Sequence, residues 1–166
     1  MNWRFCPRSA VADAEDLQLR IDLHSEAFEP LACLAQWQRQ LAAQGQPASA
    51  AESLFIGRVR AAAADGTPLL ALELEHYPGM TERQLQELAV SCCARHGVRS
   101  ALVQHRIGRV LPGEAIVLLA IGADRRGPAQ RCCQELLEAL KHDAPFWKRE
   151  WRADGNGHWL TGNTPL

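Results

Sequence analysis

Two lysines and two pairs of arginines stand where this chain could hold anions. Leu140 to Glu150 reads LKHDAPFWKRE. Pro145 has no backbone N–H and biases Ala144 away from helical geometry, so an apolar-periodic helix through Leu136, Leu137 and Leu140 ends near Lys141 or His142. Lys148, Arg149 and Glu150 then belong to a separate, extended element. Alternation along Phe146 to Trp151 puts Lys148 and Glu150 on one face with Phe146, and Trp147, Arg149 and Trp151 on the other. A lysine beside a second lysine, or against a partly dry wall, has its ammonium form disfavoured and can serve as general acid, base or nucleophile. The same spacing also describes a helix-terminal lysine that complements the helix dipole and a solvated strand lysine, and spacing alone favours that plainer account.

The arginines point to the same class of ligand. Arg58 and Arg60 in SLFIGRVR lie two apart on a strand and share a face that an anion could meet. Arg125 and Arg126 in GADRRG stand at the mouth of the last long helix, where guanidinium groups and the first backbone N–H groups together make a phosphate cradle. A charged, solvated loop fits Arg125 and Arg126 equally well unless other basic groups converge there.

These groups need a folded scaffold, and the composition supports one. With 166 residues and 47% hydrophobic side chains, the chain is sized for one domain with a substantial core. A formal net charge of −1 gives no global attraction to nucleic acid or to an anionic membrane, so any anion site is local. The start, MNWRFCPRSAVADAEDLQ, lacks the apolar core of a signal peptide, and no stretch reaches the roughly twenty apolar residues of a membrane helix, so a cytoplasmic protein is expected. The six cysteines are Cys6, Cys33 and the adjacent pairs Cys92–Cys93 and Cys132–Cys133. No C-x-x-C occurs, which leaves no familiar zinc or redox spacing and favours reduced, partly buried thiols.

Periodicity orders the elements. Leu17, Leu19, Ile21 and Leu23 alternate as a strand, and Phe28 to Gln44 reads as a surface helix ended by Gly45 and Pro47. Ser53 to Arg60 is a strand, and Asp65-Gly66 and Pro68 make a loop. Leu69 to Tyr77 is a second strand with Leu70, Leu72 and Leu74 inward and Glu73 and Glu75 solvated. After Pro78-Gly79, Thr81 and Gln84 match a capping box before a helix that ends at Gly97. Val98 to His105 and Ile107 to Leu111 are strand material, EAIVLLAIG is a buried strand, and Pro128 to Lys141 is a helix with proline in its first turn. Asp154-Gly155 and Gly157 form a hairpin turn leading to Trp159, and TGNTPL is a frayed tail. The expected architecture is α+β with a mostly antiparallel sheet. Residues 1–50 form an N-terminal strand-and-helix segment of the same domain, 51–160 the core and 161–166 the tail.

The ordered set FIGRVR, LELEHYPGMT, HRIGRVLPGE and LKHDAPFWKRE resembles the large, catalytic subunit of molybdopterin synthase over residues 53 to 159. The resemblance implies an α/β-hammerhead fold with an added antiparallel sheet. It also implies sulfur transfer from the C-terminal Gly-Gly thiocarboxylate of a small ubiquitin-like subunit to cyclic pyranopterin monophosphate, within a heterotetramer built on a central homodimer of large subunits. Carried over by position, the pterin-phosphate contacts fall on Arg58, Val59, Arg60, Arg125, Arg126, Lys141, Lys148, Arg149 and Glu150, with the loop arginine of one subunit entering the pocket of the other. Lys141 is placed beside the thiocarboxylate carbon, and Lys148 assists by charge and proton transfer. Neither metal nor cofactor is implied. His105, in HRIG, is assigned to strand packing. One departure stands out: the family usually has His-Arg where this chain has Arg125-Arg126, which puts a permanent cation in place of a titratable imidazole. That change motivates the alternative of a catalytically weakened homologue that binds a pterin phosphate or a ubiquitin-like tail. A third reading, cysteine pairs as persulfide carriers, ranks last, because helix neighbours point about 100° apart.

Overall fold

The computed structural model describes residues 17–160; the expected tail TGNTPL and Cys6 lie outside the described residues. Eight strands and three helices follow one another as β1 (Gln18–His24), α1 (Pro30–Ala43), β2 (Ala51–Arg58), β3 (Leu69–His76), α2 (Met80–His96), β4 (Ser100–Arg106), β5 (Gly108–Val110), β6 (Ala115–Ala123), α3 (Arg126–His142), β7 (Phe146–Arg152) and β8 (Gly157–Trp159). They form two four-stranded sheets, ordered β1-β4-β6-β2 and β5-β3-β7-β8. Only the β1–β4 pair is parallel among the described strands; the other pairings are antiparallel. The α+β architecture with a mostly antiparallel arrangement therefore stands. Among the described residues no helix is long and apolar enough to cross a membrane.

The continuous apolar run of β6 follows from its position between β4 and β2 with helices on both faces. Leu119 and Ile121 point with Ala101 and Val103 into a core shared with α2 and α3, while Leu118 and Ala120 point with Leu102 toward Leu34 and Trp37 of α1. The described part of the N-terminal segment, from residue 17 on, is thus integral to the first sheet: β1 is its edge and α1 covers one face. Helix α3 buries Ala129, Cys132, Cys133, Leu136 and Leu140, a stripe of helical period that holds the whole rod against the sheet and leaves its last turn at the second sheet.

Three local expectations are corrected. Leu70 is 49% exposed rather than inward, because a register shift between Leu69 and Ala71 reverses the alternation there. Helix α2 begins one residue before Thr81: Glu82, not Gln84, reaches back to a capping N–H, that of Gly79, at 2.6 Å, and buried Thr81 accepts the Tyr77 N–H. Helix α3 begins at Arg126, so Pro128 sits just inside its first turn and Arg125 is the capping residue.

Candidate active site

The basic residues singled out by type converge where the two sheets meet. A cavity of about 290 Å³ is lined by Arg58, Val59, Arg60, Lys141, Lys148 and Glu150, with an apolar wall of Leu69, Leu72, Ile116 and Leu160. The polar groups arrive on β2 and the loop after it, on α3 and on β7. Strand β2 is bulged between Gly57 and Arg58, which turns its end toward the second sheet. Lys141 lies in the last turn of α3, where the helix dipole favours a cation, and donates to Glu138 at 3.2 Å. Asp143 N–H closes the helix on Ala139 O at 2.8 Å, Pro145 turns the chain, and β7 returns with Lys148 and Glu150 on the cavity side, as alternation requires.

Glu150 organises the anion-binding wall. Its side chain is buried, with Arg60 on one oxygen at 3.0 Å and Arg152 on the other at 3.2 Å. The carboxylate holds the Arg60 guanidinium in place, and Arg60 remains half exposed at the cavity rim. Arg58 is tethered by donation to Gly113 O at 3.1 Å. Across the cavity, burial and then the Lys141 charge lower the pKa of Lys148, so its proton leaves more readily than from an ordinary lysine.

A second cavity of about 160 Å³ adjoins the first, sharing Ile116, Lys141 and Lys148 and continuing along Phe55, Gly57, His105, Val117, Leu137 and Leu140. Gly57 in its wall packs tightly on Val117, where a Cβ would lie 2.9 Å from Val117 Cγ1. His105 does pack as expected, stacked on Phe146 at 4.2 Å between ring centres, and its Nδ1–H donates to Arg106 O at 2.8 Å. Burial pulls its pKa down to about 4, which keeps the ring neutral beside two ammonium groups. Its place in the cavity wall was not legible from strand pattern, and neither was the pairing of Arg152 with Glu150, although its spacing from Lys148 and Glu150 put it on their face.

Three of the sequence-derived site residues do not join them. Arg149 points to the opposite face of β7, where it donates to Glu73 at 2.9 Å and to Glu75 at 3.3 Å and lies over the rings of Trp151 and Trp159. Its alternation predicts this, and Glu73, expected to be solvated, is instead a shared acceptor for Arg149 and the Trp151 Nε1–H. Arg125 and Arg126 are exposed at the far end of α3, and fifteen residues of helix put about 22 Å between Arg126 and Lys141. Within one chain they cannot reach the cavity.

Residues 26–143 match the family model described as MoaE protein. A molybdopterin synthase catalytic subunit of Ralstonia nicotianae is 42% identical over 111 residues, covering 67% of this chain and 62% of that protein. The chain thus spans less than two thirds of that relative's length. A second molybdopterin synthase catalytic subunit, from Caulobacter vibrioides, is 35% identical over 135 residues, covering 81% of this chain and 85% of the relative. Among solved structures, a molybdopterin biosynthesis MoaE protein from Burkholderia ambifaria superposes with a TM-score of 0.66 at 34% identity, covering 89% of this chain and 91% of that one.

Proposed function

This chain belongs to the MoaE family, and from that premise we propose that it is the catalytic subunit of a cytoplasmic molybdopterin synthase. It transfers sulfur from the C-terminal thiocarboxylate of a small ubiquitin-like subunit to cyclic pyranopterin monophosphate. The observation that carries the reading is the convergence of Arg58, Arg60, Lys141 and Lys148, from three separate elements and a loop, on one cavity between the sheets.

A thiocarboxylate and a cyclic phosphate are both anionic, and bringing them together in a partly dry site costs repulsion that fixed cations must offset. Arg58 and Arg60 take the phosphate, with Glu150 orienting Arg60. Val59 contributes wall rather than charge. The tail enters along the narrower passage, past the backbone of Gly57. Lys141, common to both cavities, stands beside the thiocarboxylate carbon. Lys148, with its lowered pKa, assists by charge and exchanges protons as the cyclic phosphate opens and oxygen leaves the pterin side chain. Arg125 and Arg126 complete the site of a second copy in a homodimer, and a small subunit docks at each end. Arg149 is left out of the contact set and acts through the strand it anchors.

The test is single-turnover conversion of the cyclic pterin by this protein with a thiocarboxylated small subunit, beside Lys141→Ala. Product from the wild type and none from the variant is expected. Absence of product from a wild type that still binds the small subunit would overturn the synthase reading in favour of a weakened, binding-only homologue with Arg125 as the cause.

A further inference from the structure

The cysteine pairs are unused by the proposed chemistry, yet half of each pair meets its counterpart across the α2–α3 contact. Cys92 and His96 are four apart on α2, and Cys132 and Glu135 three apart on α3, spacings that put each couple on one helix face. The donor atoms of Cys92, His96 and Glu135 all lie within 4.8 Å of one another. Cys92 Sγ is 3.8 Å from Cys132 Sγ. His96 Nε2 is 2.5 Å from a Glu135 oxygen, and Arg95 pairs with the other oxygen of the same carboxylate.

We propose that Cys92, His96 and Glu135, joined by Cys132 as its side chain swings in from beside Cys92, form a binding site for a zinc-class divalent cation that clamps α3 to α2. Two thiolates held at about 2.3 Å in a tetrahedron stand about 3.8 Å apart, which is the sulfur separation found here. Imidazole nitrogen and carboxylate oxygen bound at about 2.0–2.1 Å stand about 3.3 Å apart in the same geometry, so the His96–Glu135 contact must open by under about 1 Å. Glu135, with 41% of its side chain exposed, has the freedom to do so. Charge also closes: two thiolates and a carboxylate are matched by a dication and the Arg95 guanidinium. Without a cation, the hydrogen bond to Cys132 and burial hold the Cys92 thiol protonated. A soft dication reverses that balance and releases the protons to solvent. Nothing in the linear sequence announces this set, because its halves lie 40 residues apart.

Cobalt titration of the reduced, metal-stripped full chain, followed by zinc competition, tests the site. Expected are one cobalt per chain with a thiolate-to-cobalt charge-transfer band and tetrahedral d–d bands, and displacement of both by zinc. His96→Gln and Glu135→Gln are expected to weaken zinc at least about tenfold, and Cys133→Ala to leave it unchanged. Cys92 and Cys132 are buried, so their variants risk misfolding; the partly exposed His96→Gln carries the decision through thermal melts. Zinc should raise the wild-type Tm and raise that of His96→Gln by clearly less at the same concentration. A folded wild type with no thiolate–cobalt band, or an affinity indifferent to both glutamine variants, overturns the proposal. So does a Cys92–Cys132 disulfide forming in its place with no metal bound.

Discussion

Each face of β7 carries basic and aromatic side chains, and the two faces do opposite things with their cations. On one face Arg149 is saturated: two glutamates accept its guanidinium, and Trp151 and Trp159 cover it. On the other face Lys148 is pressed into a cavity wall with a second ammonium, Lys141, acting on it, and its charged form is disfavoured. On that same face Glu150 orients Arg60 and Arg152. A cation whose charge is fully matched makes structure, whereas one crowded by a like charge in a dry wall is poised for anions and protons.

The sharpest way to break this contrast is to exchange residues across it. Lys141→Ala and Lys148→Ala should each cut single-turnover product formation by about a hundredfold or more, while Arg149→Met leaves it within about twofold, as a group without contact to the reacting atoms should. Equal losses from both faces, measured in one quench-flow series, would erase the division.

Glu150→Ala strands Arg60 and Arg152 beside a buried hole, and urea unfolding should register a loss of about 2–3 kcal/mol. Phosphate affinity should fall with it, because Arg60 loses its anchor.

On the opposite face, Trp151→Phe removes the indole N–H from Glu73 and should cost about 1 kcal/mol without changing turnover. The Trp151 hydrogen bond is also the first cause of the lowered pKa of Glu73. A carboxylate with a depressed folded pKa contributes stability above its unfolded pKa and loses it as pH falls through the folded one. The wild type should therefore lose stability relative to Trp151→Phe on acidification below the ordinary glutamate range, and parallel stability–pH curves would contradict the assignment.

The smallest effect lies on the cavity side at high pH. Lys148 has a folded pKa below the 10.5 of a free lysine, so between the two values the unfolded chain binds more protons and stability rises with pH. Lys148→Met should flatten that rise in guanidinium titrations taken across the alkaline range.

Much of the molecule was legible in order. The apolar run of β6, the Pro145 break between α3 and β7 and the alternation of β7 all express one-dimensional rules of period and backbone chemistry, and each element formed where those rules placed it. The misreadings have a common source. Leu70 was inverted by a bulge, and the α2 start moved because Glu82, not Gln84, faced the open N–H of Gly79. Such choices depend on pairing partners that a single strand or helix does not contain. Within the site, residue type identified the cations of the cavity, but not His105, the apolar wall of Leu69, Leu72, Ile116 and Leu160, or the Arg152 that pairs with Glu150.

By itself the chain determined which residues could meet an anion and on which element each would ride, because backbone propensity and side-chain alternation are local. Tertiary structure alone decided that Lys141 and Lys148 share one cavity with Arg60 while Arg126, on the same helix as Lys141, stands about 22 Å away. It also brought Cys92 and Cys132 together from separate helices. Proximity between distant segments follows from which faces bury against which, a property of the packed core and of no segment within it.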